Sequence, residues 1–89
     1  MVERKMQVVN DGGLHARSAA LFVQLASKYK AKIWVEKDEK RVNAKSIMGI
    51  MSLGVSKGMS IVVGADGVDE NDAVGELANL VDSKFGEKM

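Results

Sequence analysis

The apolar residues of this 89-residue chain change their spacing several times, and each change falls at a glycine or a short polar turn. Met6 and Val8 alternate with Lys5, Gln7 and Asn10, the period of a half-buried strand, which is expected to end at Asp11-Gly12-Gly13. From Ala16 the spacing becomes helical. Ala16, Ala19, Ala20, Val23 and Ala26 recur with that period, Leu21, Phe22 and Leu25 widen the stripe, and the pattern fades at Lys28-Tyr29-Lys30. Alanines at these positions allow a helix to pack closely on a sheet.

Ile33, Trp34 and Val35 form a short strand, and Lys37-Asp38-Glu39-Lys40 turns the chain into another that holds Val42 and Ala44. A tight hairpin favours glycine where this chain has Glu39, so a looser or longer connection is expected. Ser46 precedes a short helix over Ile47-Met48-Gly49-Ile50-Met51-Ser52-Leu53, which Gly54 ends. Met59 to Ala65 alternates as a last strand with Ile61, Val63 and Ala65 on one side. After Asp66-Gly67, Asp69 caps a final helix that opens with Glu70 and Asp72 and turns Val74, Leu77, Ala78 and Val81 inward. The order strand, helix, strand, strand, helix, strand, helix predicts an α+β fold. Its expected form is a two-layer sandwich with helices on one face of a mostly antiparallel sheet and the other face partly solvated. Residues 1–89 read as one domain, without repeats, linkers or low-complexity tracts.

A domain of this size buries only about two thirds of its unfolded surface, so the core is thin and a deep enclosed active site is not expected. The 13 Lys and Arg against 12 Asp and Glu leave a net charge of +1, which gives no global argument for nucleic acid or an anionic membrane. With no cysteine and one histidine, disulfides, thiolate chemistry and multi-histidine metal sites drop out. Met1-Val2-Glu3-Arg4-Lys5-Met6 mixes charges and precedes no apolar stretch. Neither a signal peptide nor membrane insertion is expected, and the chain reads as cytoplasmic.

The histidine lies in Gly13-Leu14-His15-Ala16-Arg17-Ser18, where a glycine-rich turn becomes a helix. A helix start offers unpaired N–H groups and a partial positive charge, so an anion formed on His15 would meet backbone donors at Ala16, Arg17 and Ser18 and the Arg17 charge. Phosphoryl transfer requires a neutral imidazole as nucleophile, and a free imidazole with a pKa near ~6.5 is mostly neutral at neutral pH. On the pattern alone, an ordinary loop histidine beside a solvated arginine is the more frequent arrangement, because histidine has many bland uses. At the second helix start, Ser46 is a good N-cap on local grounds. Ile47, Met48, Ile50, Met51 and Leu53 are more apolar side chains than one face of two turns can bury. Ile50 and Leu53 are expected inside, with Ile47, Met48 and Met51 forming an adaptable exposed patch. Lys28, Lys30 and Lys32 read as a solvated stretch, and Trp34 as a cover for a sheet edge or face.

Gly13-Leu14-His15-Ala16-Arg17, together with Asn43-Ala44-Lys45-Ser46-Ile47-Met48-Gly49, resembles the HPr family, the histidine-containing phosphocarriers of the bacterial sugar phosphotransferase system. The resemblance spans essentially the whole chain, and the Ser46-Ile47-Met48 context is similar to the Gram-positive type. It implies an antiparallel sheet in order 1-4-2-3 and a covalent carrier without turnover of its own. A phosphoenolpyruvate-dependent enzyme I would phosphorylate His15, with Arg17 as its charged partner, and the A domains of sugar permeases would receive the group. It also implies regulatory phosphorylation of Ser46 by a serine kinase/phosphorylase, docking through Ala20, Gln24, Ile47, Met48 and Met51, and recognition by a catabolite-control transcription regulator. No cofactor and no metal are implied.

An alternative of the same fold is a regulatory module that acts as a phospho-Ser46 corepressor; regulators of that kind have glutamine at the position of His15. A relay for a non-sugar branch such as nitrogen regulation fits the Ser46-Ile47-Met48 segment less well. The chain departs from the family at Ser18, where proline is usual. Proline pre-organises a first helical turn. Serine lifts that constraint, and Ser18 is itself a candidate cap for a helix that begins later.

Overall fold

Residues 1–86 are described in the computed structural model. Their elements are β1 (Val2–Gln7), α1 (Ala16–Ala26), β2 (Lys32–Lys37), β3 (Lys40–Asn43), α2 (Ile47–Met51), β4 (Ser60–Asp66) and α3 (Glu70–Asp82), followed by a 3₁₀ turn at Lys84–Gly86. The four strands form one antiparallel sheet in the order β1-β4-β2-β3. Both the α+β class and this strand order agree with expectation.

The period-two pattern decides which face of the sheet is dry. Met6 on β1, Ile33 and Val35 on β2, and Ile61, Val63 and Ala65 on β4 point to the helices and are all buried. They meet Ala19, Phe22 and Ala26 of α1, Ile50 of α2, and Ala73, Val74, Leu77, Ala78 and Val81 of α3 in one core cluster. A large apolar side chain fully withdrawn from water contributes about 1.5–3 kcal/mol, so Phe22, Ile50 and Leu77 carry much of this thin core. The stripe of α1 is rotated from the sequence reading. Phe22 is its centre, whereas Ala16 is exposed and Ala20 and Val23 are only half-buried. A bulky ring takes the deep position because it removes more apolar area than any alanine.

β1 ends at Gln7 rather than running on to the glycines, although Val8 still donates to Met59 O and its own carbonyl accepts from Gly58 N–H. The hairpin between β2 and β3 is tighter than expected. Lys37 pairs with Lys40 across a two-residue turn, and Asp38 and Glu39 have φ of 50° and 69°. The right-handed strand twist favours a primed two-residue turn, here with both central residues left-handed, and that preference outweighs the missing glycine. α2 is likewise shorter than the span to Leu53: Ser52 is its C-cap, and Gly54 at φ 63° turns the chain away.

Asp69 also corrects a sequence expectation. It occupies the N-cap position of α3, but its side chain makes no cap bond there. The carboxylate instead accepts the N–H groups of Lys30 at 2.8 Å and Ala31 at 2.9 Å, closing the turn between α1 and β2. Hydrogen bonding from Lys30 N–H, then Ala31 N–H, holds the Asp69 carboxyl below its usual pKa against the opposing effect of desolvation.

On the other face of the sheet, Trp34 lies flat over Gly64, where any Cβ would overlap the indole. Arg41 Cζ sits 4.9 Å above the ring centroid and its guanidinium pairs with Glu36 and Glu3. Trp34 covers the sheet, and Arg41 straps it from the β3 edge toward β1.

Candidate functional site

His15 is exposed and is the N-cap of α1, with an extended backbone at φ −104° and ψ −173°. Its carbonyl takes the Ala19 N–H at 2.7 Å, so the helix begins at Ala16 and Ser18 is its third residue. This corrects the idea that Ser18 caps a later start. Ser18 is buried, at 2% exposure; its Oγ accepts the His15 N–H at 2.9 Å and donates to Gly13 O at 2.6 Å. Its own N–H faces the imidazole in the reciprocal arrangement of a capping box, without a closed side-chain cap bond.

The loop before His15 is held from several directions. Gly13 has φ 60° and lies so close to Val55 that a Cβ would overlap the Val55 carbonyl, while Leu14 N–H donates to that same oxygen at 3.0 Å. Asn10 Nδ2 reaches Gly13 O at 2.9 Å. Lys57 Nζ meets the Asp11 carboxylate at 2.8 Å, a hydrogen bond and charge that lower the Asp11 pKa. The β1–α1 loop is thereby tied to the α2–β4 loop. Between them lies a shallow cleft of about 200 Å³ lined by Gly12, Leu14, His15, Met51, Gly54, Val55 and Ser56.

Arg17 is exposed, and its Nη1 reaches Phe85 O at 3.4 Å, the long limit of a hydrogen bond. Ala16 is exposed beside it. Ala20 is half-buried and Gln24 exposed, one helical turn apart on the same side of α1. α2 packs against α1. Its Ile47, Met48 and Met51 are 41%, 82% and 40% exposed, whereas Ile50 and Leu53 are buried as expected. Met51 reaches the cleft beside His15, so the apolar patch of α2 adjoins the first motif in space.

Ser46 is the N-cap of α2. Its Oγ accepts the Gly49 N–H at 3.1 Å, and a Cβ on Gly49 would crowd that oxygen at 3.3 Å. The hydroxyl is half-buried and lies at the positive end of the short helix. Sequence reading missed Val55, Ser56 and Phe85 as neighbours of the first site. They lie roughly forty to seventy residues away along the chain, and no local pattern marks them. Among the described residues, no group of three or more histidines or carboxylates is placed to hold a metal ion, and no helix is long and apolar enough to cross a membrane.

The family model for the phosphotransferase-system HPr component phosphorylation site matches residues 2–83. The chain is 44% identical to a phosphocarrier protein HPr of Neisseria meningitidis over 87 residues, covering 98% of each. It is 51% identical to the HPr-like protein Crh of Bacillus subtilis over 81 residues, 91% of this chain and 95% of that one. Its structure superimposes on a crystal structure of an HPr from Thermoanaerobacter tengcongensis with a TM-score of 0.97 at 58% identity, with both chains covered completely. Sequence and strand order therefore converge over almost the whole chain, which belongs to the HPr family, the phosphocarriers of the phosphotransferase system.

Proposed function

We propose that His15 is the phosphoryl acceptor, charged by a phosphoenolpyruvate-dependent enzyme I and discharged to the A domains of sugar permeases. The observation that carries this reading is the exposed imidazole at the α1 start, in a shallow cleft shared with Met51. In the transfer, the imidazole lone pair forms a P–N bond while the bond from phosphorus to the donor's leaving group breaks, its electron pair remaining with the donor. The phosphoryl oxygens then lie at the positive end of α1, among donors left unpaired by the helix. The Arg17 guanidinium supplies a charge-assisted partner for them. An open cleft suits a carrier that must present one ring to two partners in succession. Residues 1–89 act as one carrier domain in the cytoplasm, without nucleic acid or membrane insertion.

Ser46 is the regulatory site in this proposal. A phosphate on a capping serine adds about two negative charges at a helix N-terminus, where they are tolerated, so the fold survives and the docking face changes sign. Enzyme I, docking through Ala20, Gln24, Ile47, Met48 and Met51, would be repelled if its surface there is acidic, and a basic face on a transcription regulator would be attracted. The likeness to Crh favours a second reading, a phospho-Ser46 corepressor that carries no phosphate in a relay. His15 weighs against that as the exclusive role, because regulators of that kind have glutamine there. Incubation with enzyme I and phosphoenolpyruvate, followed by mapping of the modified residue, separates the two. An acid-labile phosphate on His15 is expected, and its absence sinks the carrier reading.

A further inference from the structure

Two polar side chains are fully buried among the described residues, Asn10 and Ser18, and both donate to the carbonyl of Gly13. Ser18 does more than satisfy that oxygen. The same hydroxyl accepts the His15 N–H at 2.9 Å, so a single buried oxygen links the peptide groups on the two sides of Leu14 and fixes the backbone from which the imidazole projects. The Ser18 N–H, one turn into the helix, faces the ring in return. A proline at this position has neither group: it would hold the helix start through its ring and leave the His15 N–H and the imidazole without these partners.

We propose that Ser18 is a positioning residue for His15, acting on the ring through two separate atoms. The hydroxyl sets where the ring sits. The backbone N–H sets which ring nitrogen keeps its lone pair, because a nitrogen that faces a donor cannot itself carry the proton of a neutral imidazole. One tautomer is favoured, and its lone pair points to the helix start, where incoming phosphoryl oxygens find their donors. The Ser18 hydroxyl is too deeply buried to touch a phosphodonor, so it acts only through His15. The proposal rests on His15 as the acceptor.

The test compares Ser18→Ala, Ser18→Thr and Ser18→Pro with the parent chain in two measurements. The first is the rate of His15 phosphorylation by enzyme I at varied enzyme I concentration. Small misplacements of a reacting group cost up to about a hundredfold, and loss of the hydroxyl in Ser18→Ala is expected to lower the saturating rate about tenfold. KM for enzyme I should not change, because the α2 face is untouched, and Ser18→Thr, which keeps the hydroxyl and the N–H, should stay within about twofold of the parent. The second is the tautomer ratio of the neutral imidazole, read from its ¹⁵N chemical shifts in unphosphorylated protein. One form should dominate in the parent and a mixture appear in Ser18→Pro. A parental saturating rate in Ser18→Ala, whatever happens to its Tm, overturns the hydroxyl's role, and equal tautomer ratios in the parent and Ser18→Pro overturn that of the N–H. If the parent takes no phosphate on His15, the carrier reading has failed instead, and the tautomer comparison still decides whether Ser18 sets the ring.

Discussion

The two helix starts at His15 and Ser46 are both built with a serine hydroxyl, used in opposite ways. At α2 the serine is the cap, and its oxygen accepts the Gly49 N–H from a half-buried position. At α1 the cap is His15, and the serine lies three residues later, buried and bonded back to the loop. The difference separates chemistry from support. A cap hydroxyl at the protein surface can be modified without dismantling the helix, because the added charge suits the helix end. A buried hydroxyl that both donates and accepts has no such freedom, and Ser18 is thus closed to the kinase proposed for Ser46.

The α1 start is the more constrained of the two, and Gly13→Ala should break the comparison most severely. The substitution needs φ near 60° and pushes a methyl group into the Val55 carbonyl. A loss of about 2–4 kcal/mol is expected by chemical denaturation, together with a reduced rate of His15 phosphorylation. Stability within about 0.5 kcal/mol of the parent would mean the loop has room to shift. Next in size is Ser46→Asp, which keeps the fold and adds charge to the docking face. Stopped enzyme I assays should give phosphorylation of His15 slowed about tenfold with little change in Tm, and an unchanged rate removes the electrostatic mechanism. Ser46→Ala sharpens the contrast by removing only the cap. It should cost about 1 kcal/mol while His15 accepts phosphate at the parental rate.

The smallest expected effect comes from the third helix start. Asp69 has its carboxyl pKa lowered in the folded protein, so its stabilisation is present above the unfolded carboxylate pKa and is lost as pH falls through the folded value. Asp69→Asn should therefore be less stable than the parent near neutrality, and the two Tm curves should converge in acid. Parallel curves from neutral pH into acid would show that the Lys30 and Ala31 contacts do not depend on the charge.

These three starts also show where sequence reading stops. Ser46 before Ile47-Met48-Gly49 was legible as a cap because the acceptor and its partner are three residues apart. Asp69 is an equally good cap by composition, yet its carboxylate serves a turn almost forty residues earlier, because the fold brings the Lys30 and Ala31 N–H groups within its reach. The same limit hid the sign of the Asp38-Glu39 turn, which the strand pairing imposes on residues that would not favour it alone.

The sequence by itself determined the elements and their order, the exposed Ile47, Met48 and Met51 against buried Ile50 and Leu53, and the two motifs that carry the family resemblance. Those follow from local periodicity and capping chemistry, which act over a turn or two. Only the tertiary structure decided that Ser18 turns inward and bonds back to Gly13, that Val55 receives Leu14 beneath His15, and that Met51 lines the cleft beside the imidazole. Each of those outcomes depends on segments far apart in the chain sharing one core, where a buried donor or acceptor takes whichever partner the packing brings within reach.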